Sequence, residues 1–277
     1  MTSPTEEPRF VPVLRDAWDG SAAESSSDLV AREEPLEIRL GTVSLAVVMR
    51  TPGHDVELGW GFAITERLVE DGGSIRSVRH CPEVTMEESE ENVLQILLEP
   101  GTDVDLARLQ RNLFASSSCG ICGKATRENA LAVAPPIQSD ARVDVRVLQG
   151  LPGRLRERQV GFAATGGLHA SGLFALDGTP QVVREDVGRH NAVDKVIGWA
   201  IRSGAPLEES VLMVSGRVSF EIIQKALAAR IPCVAAVSAP TSLAVSLAED
   251  AGITLVGFLR GERMNVYAGR DRVVVGG

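Results

Sequence analysis

SVLMVSG (210–216), CVAAVS (233–238) and TLVGFLR (254–260) are short apolar runs rich in β-branched residues, separated by the amphipathic stretches FEIIQKALAARI (220–231) and TSLAVSLAEDAG (241–252). Uncharged strands alternating with amphipathic helices predict a parallel sheet covered on both faces. Upstream, GRHNAVDKVIGWAIRSG (188–204) adds a helix, and FAATGGLHASGLFALDGTPQVVRED (162–186) holds two strand runs joined at Asp177-Gly178, a hairpin signal. VRVLQGLPGRLRERQ (145–159) is helical with an expected interruption at Pro152-Gly153.

The N-terminal half has another texture. LEIRLGTVSLAVVMR (36–50) alternates on either side of Gly41-Thr42 and predicts a hairpin. A helix is expected from Asp55 to Glu70, stopped by glycines, followed by strands in SIRSVRHCP (74–82) and NVLQILLEP (92–100). The acidic EESEEN (87–92) between them is a solvated tip, DLARLQRNLF (105–114) a short helix, and Pro135-Pro136 a break. The expected class is α/β: a flexible leader (1–33), a small α+β domain (34–140) ending in a cysteine loop, and an α/β ligand-binding domain (141–277).

A chain of 277 residues with net charge -9 and pI about 5.1 is unsuited to non-specific nucleic-acid binding, so an anionic ligand needs a local basic pocket. Four cysteines make no disulfide framework and fit a reducing compartment. MTSPTEEPRF lacks the apolar core of a secretory signal, and the uncharged run 231–248 is broken by Pro232, Pro240 and serines. We expect a cytoplasmic protein with no membrane segment.

Chemistry concentrates in SSSCGICGK (116–124). Cys119 and Cys122 precede a helix-forming run, where free N–H groups, Lys124 and Arg127 favour a thiolate. Half of a zinc site is an alternative, with Cys81, His80 and Cys233 as the other candidate ligands; inert packing is another. Redox exchange is a weaker version of the thiol reading, because Ser and Gly flank the pair. Ligand crevices in open sheets form at the carboxyl ends of the strands. SGRVS (215–219), SAPTS (238–242) and FLRGER (258–263) fall there, with Arg217, Arg260 and Arg263 able to bind phosphate oxygens and Glu262 able to accept from a purine edge. Serines in these loops are also ordinary helix caps. In REDVGRHNAVDK (184–195), Arg189, His190 and Asn191 suggest a pocket wall, Asp186 a cap, and Glu185 and Lys195 solvated charges. His169, beside glycines, and His54, before a helix, are site candidates with structural alternatives.

SSSCGICGK, TGGLHAS, REDVGRHNAVDKVIG, SGRVSFE, SAPTSLAV and GFLRGER, in that order, resemble the formate dehydrogenase accessory sulfurtransferases, the FdhD family. The resemblance covers nearly the whole chain beyond the leader. It implies a cytidine-deaminase-like α/β/α sheet, a homodimer, and a carrier that takes sulfur from a cysteine desulfurase as a persulfide. The acceptor it implies is the molybdenum cofactor in its bis-molybdopterin guanine dinucleotide form, destined for formate dehydrogenase and not a permanent cofactor. Cys119 matches the persulfide-bearing position and Cys122 its partner. Phe258, Leu259, Arg260, Gly261, Glu262 and Arg263 match the cofactor-binding segment. Deaminase chemistry is not expected: the chain has no HxE sequence, and Ser118 rather than Pro precedes Cys119. The alternative activity is a non-catalytic cofactor chaperone.

Overall fold

A computed structural model describes residues 9–18, 23–81, 90–104 and 134–276. It begins with an antiparallel hairpin of β1 (Phe10–Trp18) and β2 (Ala23–Ala31). This corrects the flexible-leader reading for those residues. The hairpin is rooted by Arg9, 3.9 Å from Glu185, while Leu14 and Trp18 stay 88% and 74% exposed. Polar serine-rich strands conceal a ribbon in which each strand is the other's main-chain partner.

Strands β3 (Glu34–Leu40), β4 (Val43–Arg50), β5 (Ile75–His80) and β6 (Val93–Leu98) form a four-stranded sheet in the order β4-β3-β6-β5. The β3–β4 turn uses Gly41 at φ +56, as the Gly-Thr signal predicts. Against this sheet lies α1 (Asp55–Thr65), with Leu58, Phe62, Ala63 and Ile64 in its core. The helix stops five residues before the expected Glu70. Arg67 turns left-handed at φ 60, which lets the N–H groups of Leu68 and Val69 both return to the Ala63 carbonyl and sends those two side chains into the core.

After β7 (Val143–Asp144), α2 (Val145–Arg156) runs unbroken through Pro152, contrary to the expected interruption. Burial of Leu148, Leu151 and Leu155 on one face outweighs the single backbone bond that proline removes. Gly153 in the same helix has open space around it, so Gly153→Ala should raise stability by about 0.5–1 kcal/mol in urea unfolding.

The short α3 (Val160–Thr165) leads to β8 (His169–Ala175), β9 (Pro180–Asp186), α4 (Arg189–Ser203), β10 (Ser210–Val214), α5 (Phe220–Ala228), β11 (Cys233–Ala236), α6 (Ser242–Asp250), β12 (Thr254–Arg260) and β13 (Arg263–Ala268). The alternation is as read, but the sheet is mixed. Its order is β13-β12-β11-β10-β8-β9, and only β10, β11 and β12 run parallel. The outer strands arrive by hairpins, which enforce antiparallel pairing. Helices α4, α5 and α6 cover one face and α2 the other. At the end of the chain β14 (Val273–Val274) pairs with β7.

The two larger sheets meet where α1 crosses α4. A Cβ on Gly61 would overlap the Asp194 carbonyl, and one on Gly198 the Glu57 carbonyl. Glycine is needed there for space, not for backbone conformation. Polar bonds surround the crossing. Lys225 Nζ donates to Asp194 Oδ2 (2.9 Å), Glu66 Oε1 (2.7 Å) and Thr65 Oγ1 (2.9 Å), and the Thr65 hydroxyl donates to Asp194 Oδ1 (2.8 Å).

Candidate functional site

Backbone hydrogen bonds lace the loops at the carboxyl ends of β10, β11 and β12 together. Ser215 N donates to the Ala170 carbonyl (2.9 Å), Thr241 N to the Val218 carbonyl (2.9 Å), and Phe258 N to the Ser238 carbonyl (3.1 Å). Thr241 caps α6 through its side chain, accepting from Ala244 N at 3.3 Å. Ser219 precedes α5 without capping it, and its Oγ lies 3.4 Å from His190 Nε2.

The stretch 258–263 is a tight β12–β13 connection whose register slips between Gly257 and Arg260, with Phe258 and Gly261 left-handed at φ 52 and 55. That bulge turns Phe258 outward, to 40% exposure, and Leu259 fully into the core beneath α2. The Leu259 side chain is therefore committed to packing. Arg260 Nε donates to the Val237 carbonyl (3.2 Å), and the Glu262 carbonyl accepts from Gln149 Nε2 (2.8 Å). Arg217, Arg260 and Arg263 are all exposed at this rim. The pairing strand β13 was not foreseen, because RMNVYA alternates over too few residues to stand out.

Beside the hairpin lies a cavity of about 660 Å³, lined among others by Leu155, Phe162, Gly167, His169, Ser215 and Val237. Val237 belongs to both features, lining the cavity and holding Arg260. Arg156 stacks 4.4 Å over the Phe162 ring. Ser215 Oγ accepts from Ala170 N at 2.9 Å, fixing the loop across the start of β8. Burial first, and then the nearby Arg189 cation, lowers the His169 pKa. Burial, Lys225 and Arg189 push His190 down to about 4. Both rings are neutral at neutral pH, so they present lone pairs or single N–H donors rather than charge.

Most of the 184–195 motif does something other than line a pocket. Arg184 grips Glu57 through two bonds of 2.6 and 2.8 Å. Glu185 is buried, not solvated, and accepts from the N–H groups of Gly161 and Phe162, both at 2.7 Å, anchoring the start of α3. Asp186 caps Gly188 N (2.8 Å) but also pairs with buried Lys195 (2.7 Å), whose Nζ donates to the Thr51 carbonyl (2.8 Å). Asn191 is likewise spent, donating to the Met49 carbonyl at 2.7 Å. Charge density that looks functional in sequence is here the joint between β4–α1 and β9–α4. His54 belongs to that joint too: it is left-handed at φ 61 and sits 3.6 Å from Glu57. Burial leads the causes that depress its pKa. From the motif, Arg189 and His190 alone turn toward the crevice loops.

Cys119 and Cys122 lie outside the described residues. The described ends that flank their segment are informative. Val104 packs against the small-sheet core. Ala134 and Ile137 pack at the amino ends of β11 and β12, where Ile137 N donates to the Ala251 carbonyl (2.8 Å). The Ala134–Ile137 end therefore sits at the edge of the large sheet opposite the arginine loops, and the Val104 end against the small sheet. Cys81 and Cys233 are buried thiols, and burial pushes the latter up to about 12. Among the described residues no group of three or more His, Cys, Asp or Glu side chains could hold a metal, and no helix is long and apolar enough to cross a membrane.

Residues 31–274 match the family model described as the FdhD/NarQ family. The chain is similar to the sulfur carrier protein FdhD of Nocardia farcinica, 51% identical over 253 residues covering 89% of this chain and 88% of that one. It is 48% identical to the protein of the same name from Streptomyces coelicolor over 93% of each chain. It is 45% identical to that of Sulfolobus acidocaldarius over 92% of this chain and 94% of that one. In fold it is similar to a crystal structure from Desulfotalea psychrophila assigned as a formate dehydrogenase accessory protein, with TM-score 0.77 and 24% identity over 96% of this chain and 100% of that one.

Proposed function

The chain belongs to the FdhD/NarQ family, and on that premise we propose that it is a sulfurtransferase carrying sulfur on Cys119 to a molybdenum cofactor bound at the arginine loops. The observation that carries this reading is the name sulfur carrier shared by relatives 45–51% identical over most of the chain, combined with the CGIC pair in this sequence. The Cys119 thiolate attacks the terminal sulfur of a desulfurase cysteine persulfide. The S–S bond of the donor breaks, the desulfurase leaves as thiolate, and Cys119 holds the persulfide. The Cys122 thiolate then attacks the inner sulfur, giving a Cys119–Cys122 disulfide while the terminal sulfur leaves as sulfide toward molybdenum. A dithiol reductant restores the pair.

The acceptor is cargo, a guanine dinucleotide form of the cofactor. Exposed Arg217, Arg260 and Arg263 suit its phosphates, the Phe258 ring a base face, and the neighbouring cavity a flat heterocycle. The same proposal includes a cytidine-deaminase-like architecture for the six-stranded sheet, a homodimer, and work in the cytoplasm between a cysteine desulfurase and formate dehydrogenase. Intact-protein mass spectrometry after incubation with a desulfurase and cysteine tests it. Wild type and Cys122→Ala should gain the mass of one sulfur atom, and Cys119→Ala none. A wild type that gains nothing would leave the chain a cofactor chaperone.

A further inference from the structure

Most of the exposed large apolar side chains among the described residues gather in two places. The first is the β1–β2 ribbon. Pro12, Leu14 and Trp18 alternate along β1 on the side they share with Leu29, the cross-strand partner of Pro12. Leu14, Trp18 and Leu29 are 88%, 74% and 42% exposed, so the chain itself leaves this face open. Its one charge, Asp16, accepts a hydrogen bond from the Ser25 hydroxyl, while Arg15 and Asp28 pair at 3.2 Å on the opposite side.

The second place is β4, an outer strand of the small sheet, where Val47 and Met49 are 64% and 48% exposed. They stand beside Glu37 and Pro35 of β3, on the sheet face away from α1, and Glu37 is bonded to Arg39 at 2.5 Å. A free strand edge invites another strand, and proteins shield it with charges or proline. VSLAVVM (43–49) has neither, and its one protection is a bulge at Leu45, which the pairing of Ser44 with Arg39 and Ala46 with Ile38 skips.

Area decides what covers them. A ribbon of 9-residue strands is about 30 Å long and about 10 Å wide, so one face covers roughly 300 Å². Laid on an unrelated protein it would bury roughly 600 Å² over both sides, the size of a packing contact. Two arms exchanged about a two-fold axis bury roughly 1,200 Å², enough for a stable dimer. Charge agrees: two copies at net charge -9 repel, and these surfaces, with Asp16 and Glu37 already bonded, are where repulsion is least.

We propose that the β1–β2 ribbon is an exchanged arm: in a two-fold dimer the Leu14–Trp18–Leu29 face of each copy lies on the Val47–Met49 edge of the other. The dimer itself rests on the reading above; the choice of surfaces rests on these exposures.

Sedimentation velocity of the full-length protein, from nanomolar to micromolar concentration, tests it. Leu14→Asp with Trp18→Ser, and separately Val47→Asp with Met49→Ser, should each weaken dimerisation at least about 100-fold, since both reciprocal contacts are lost at once. Mixing the two variants restores one intact arm-on-edge contact, so the mixture should dimerise more tightly than either variant alone. That recovery also requires both chains to be folded. Weakening without recovery on mixing overturns the pairing of arm with edge. Either variant as dimeric as wild type overturns the inference and leaves the homodimer. A wild type that stays monomeric removes both, while sulfur loading on Cys119, read by mass, tests the carrier reading by itself.

Discussion

Lys225→Met should lower the unfolding free energy by about 3–5 kcal/mol. Lys225 is 5% exposed, and its ammonium satisfies Asp194, Glu66 and Thr65 at once. Those acids hold its pKa above the ordinary lysine value despite burial, so its stabilisation is present throughout the neutral range. Removing the cation leaves an enclosed carboxylate with the Thr65 hydroxyl as its remaining side-chain donor among the described residues. The pH dependence identifies the cause. Burial raises the Asp194 pKa from 3.8 to about 6, against the pull of Lys225. Between those values the folded chain holds a proton that the unfolded chain has released, so this group's contribution to wild-type stability falls as pH rises and levels off above about 6. Without Lys225 the Asp194 pKa moves higher still, and the fall continues upward. The gap between variant and wild type should therefore widen from pH 6 to pH 8 in urea unfolding. A gap that is flat or narrows would show that Asp194 is not the group left stranded. Lys225→Met with Asp194→Asn should recover part of the loss, since a neutral amide tolerates burial better than a lone carboxylate.

Gly198→Ala is the second large loss, about 3 kcal/mol or more for one added methyl. Its Cβ would overlap the Glu57 carbonyl oxygen and stand 2.7 Å from both that carbonyl carbon and Gly61 N. These are backbone atoms, which have no rotamer to yield. Separating the helices instead would stretch the Arg184–Glu57 pair and the Thr65–Asp194 bond that straddle the crossing. Gly153→Ala, chemically the same change in a helix, has the opposite expected sign because nothing lies near it. Urea midpoints of the two variants, measured side by side, separate helix propensity from close packing. Equal stabilisation by both would mean that α1 and α4 do not touch through their backbones.

Much of the architecture is legible along the chain because strands and helices obey local periodicities. The β10–β12 core and its helices, the Gly41 and Asp177-Gly178 turns, and both N-terminal sheet pairs follow from pattern. What escapes depends on contacts distant in sequence. Pro152 sits inside a helix because three leucines find a sheet, and Glu185, Asn191 and Lys195 are buried because β4, α1 and α3 supply their partners. The crevice loops were placed by topology, since strand ends can be counted. Which arginine is paired was not visible: Arg184 and Arg189 stand in one motif, yet one clasps Glu57 and the other has no such partner among the described residues.

The α1–α4 crossing also sets a timetable. Gly61 and Gly198 are 137 positions apart, so at about 5–20 residues per second the ribosome makes α1 roughly 7–27 s before its partner. For that interval the small sheet can cover one side of α1, while the side meant for α4 waits in water. That side carries Glu57 and Thr65 beside its glycines, groups whose bonding partners have not yet been synthesised. The nascent chain is thus vulnerable at a defined length, until residue 198 and the rest of α4 leave the tunnel.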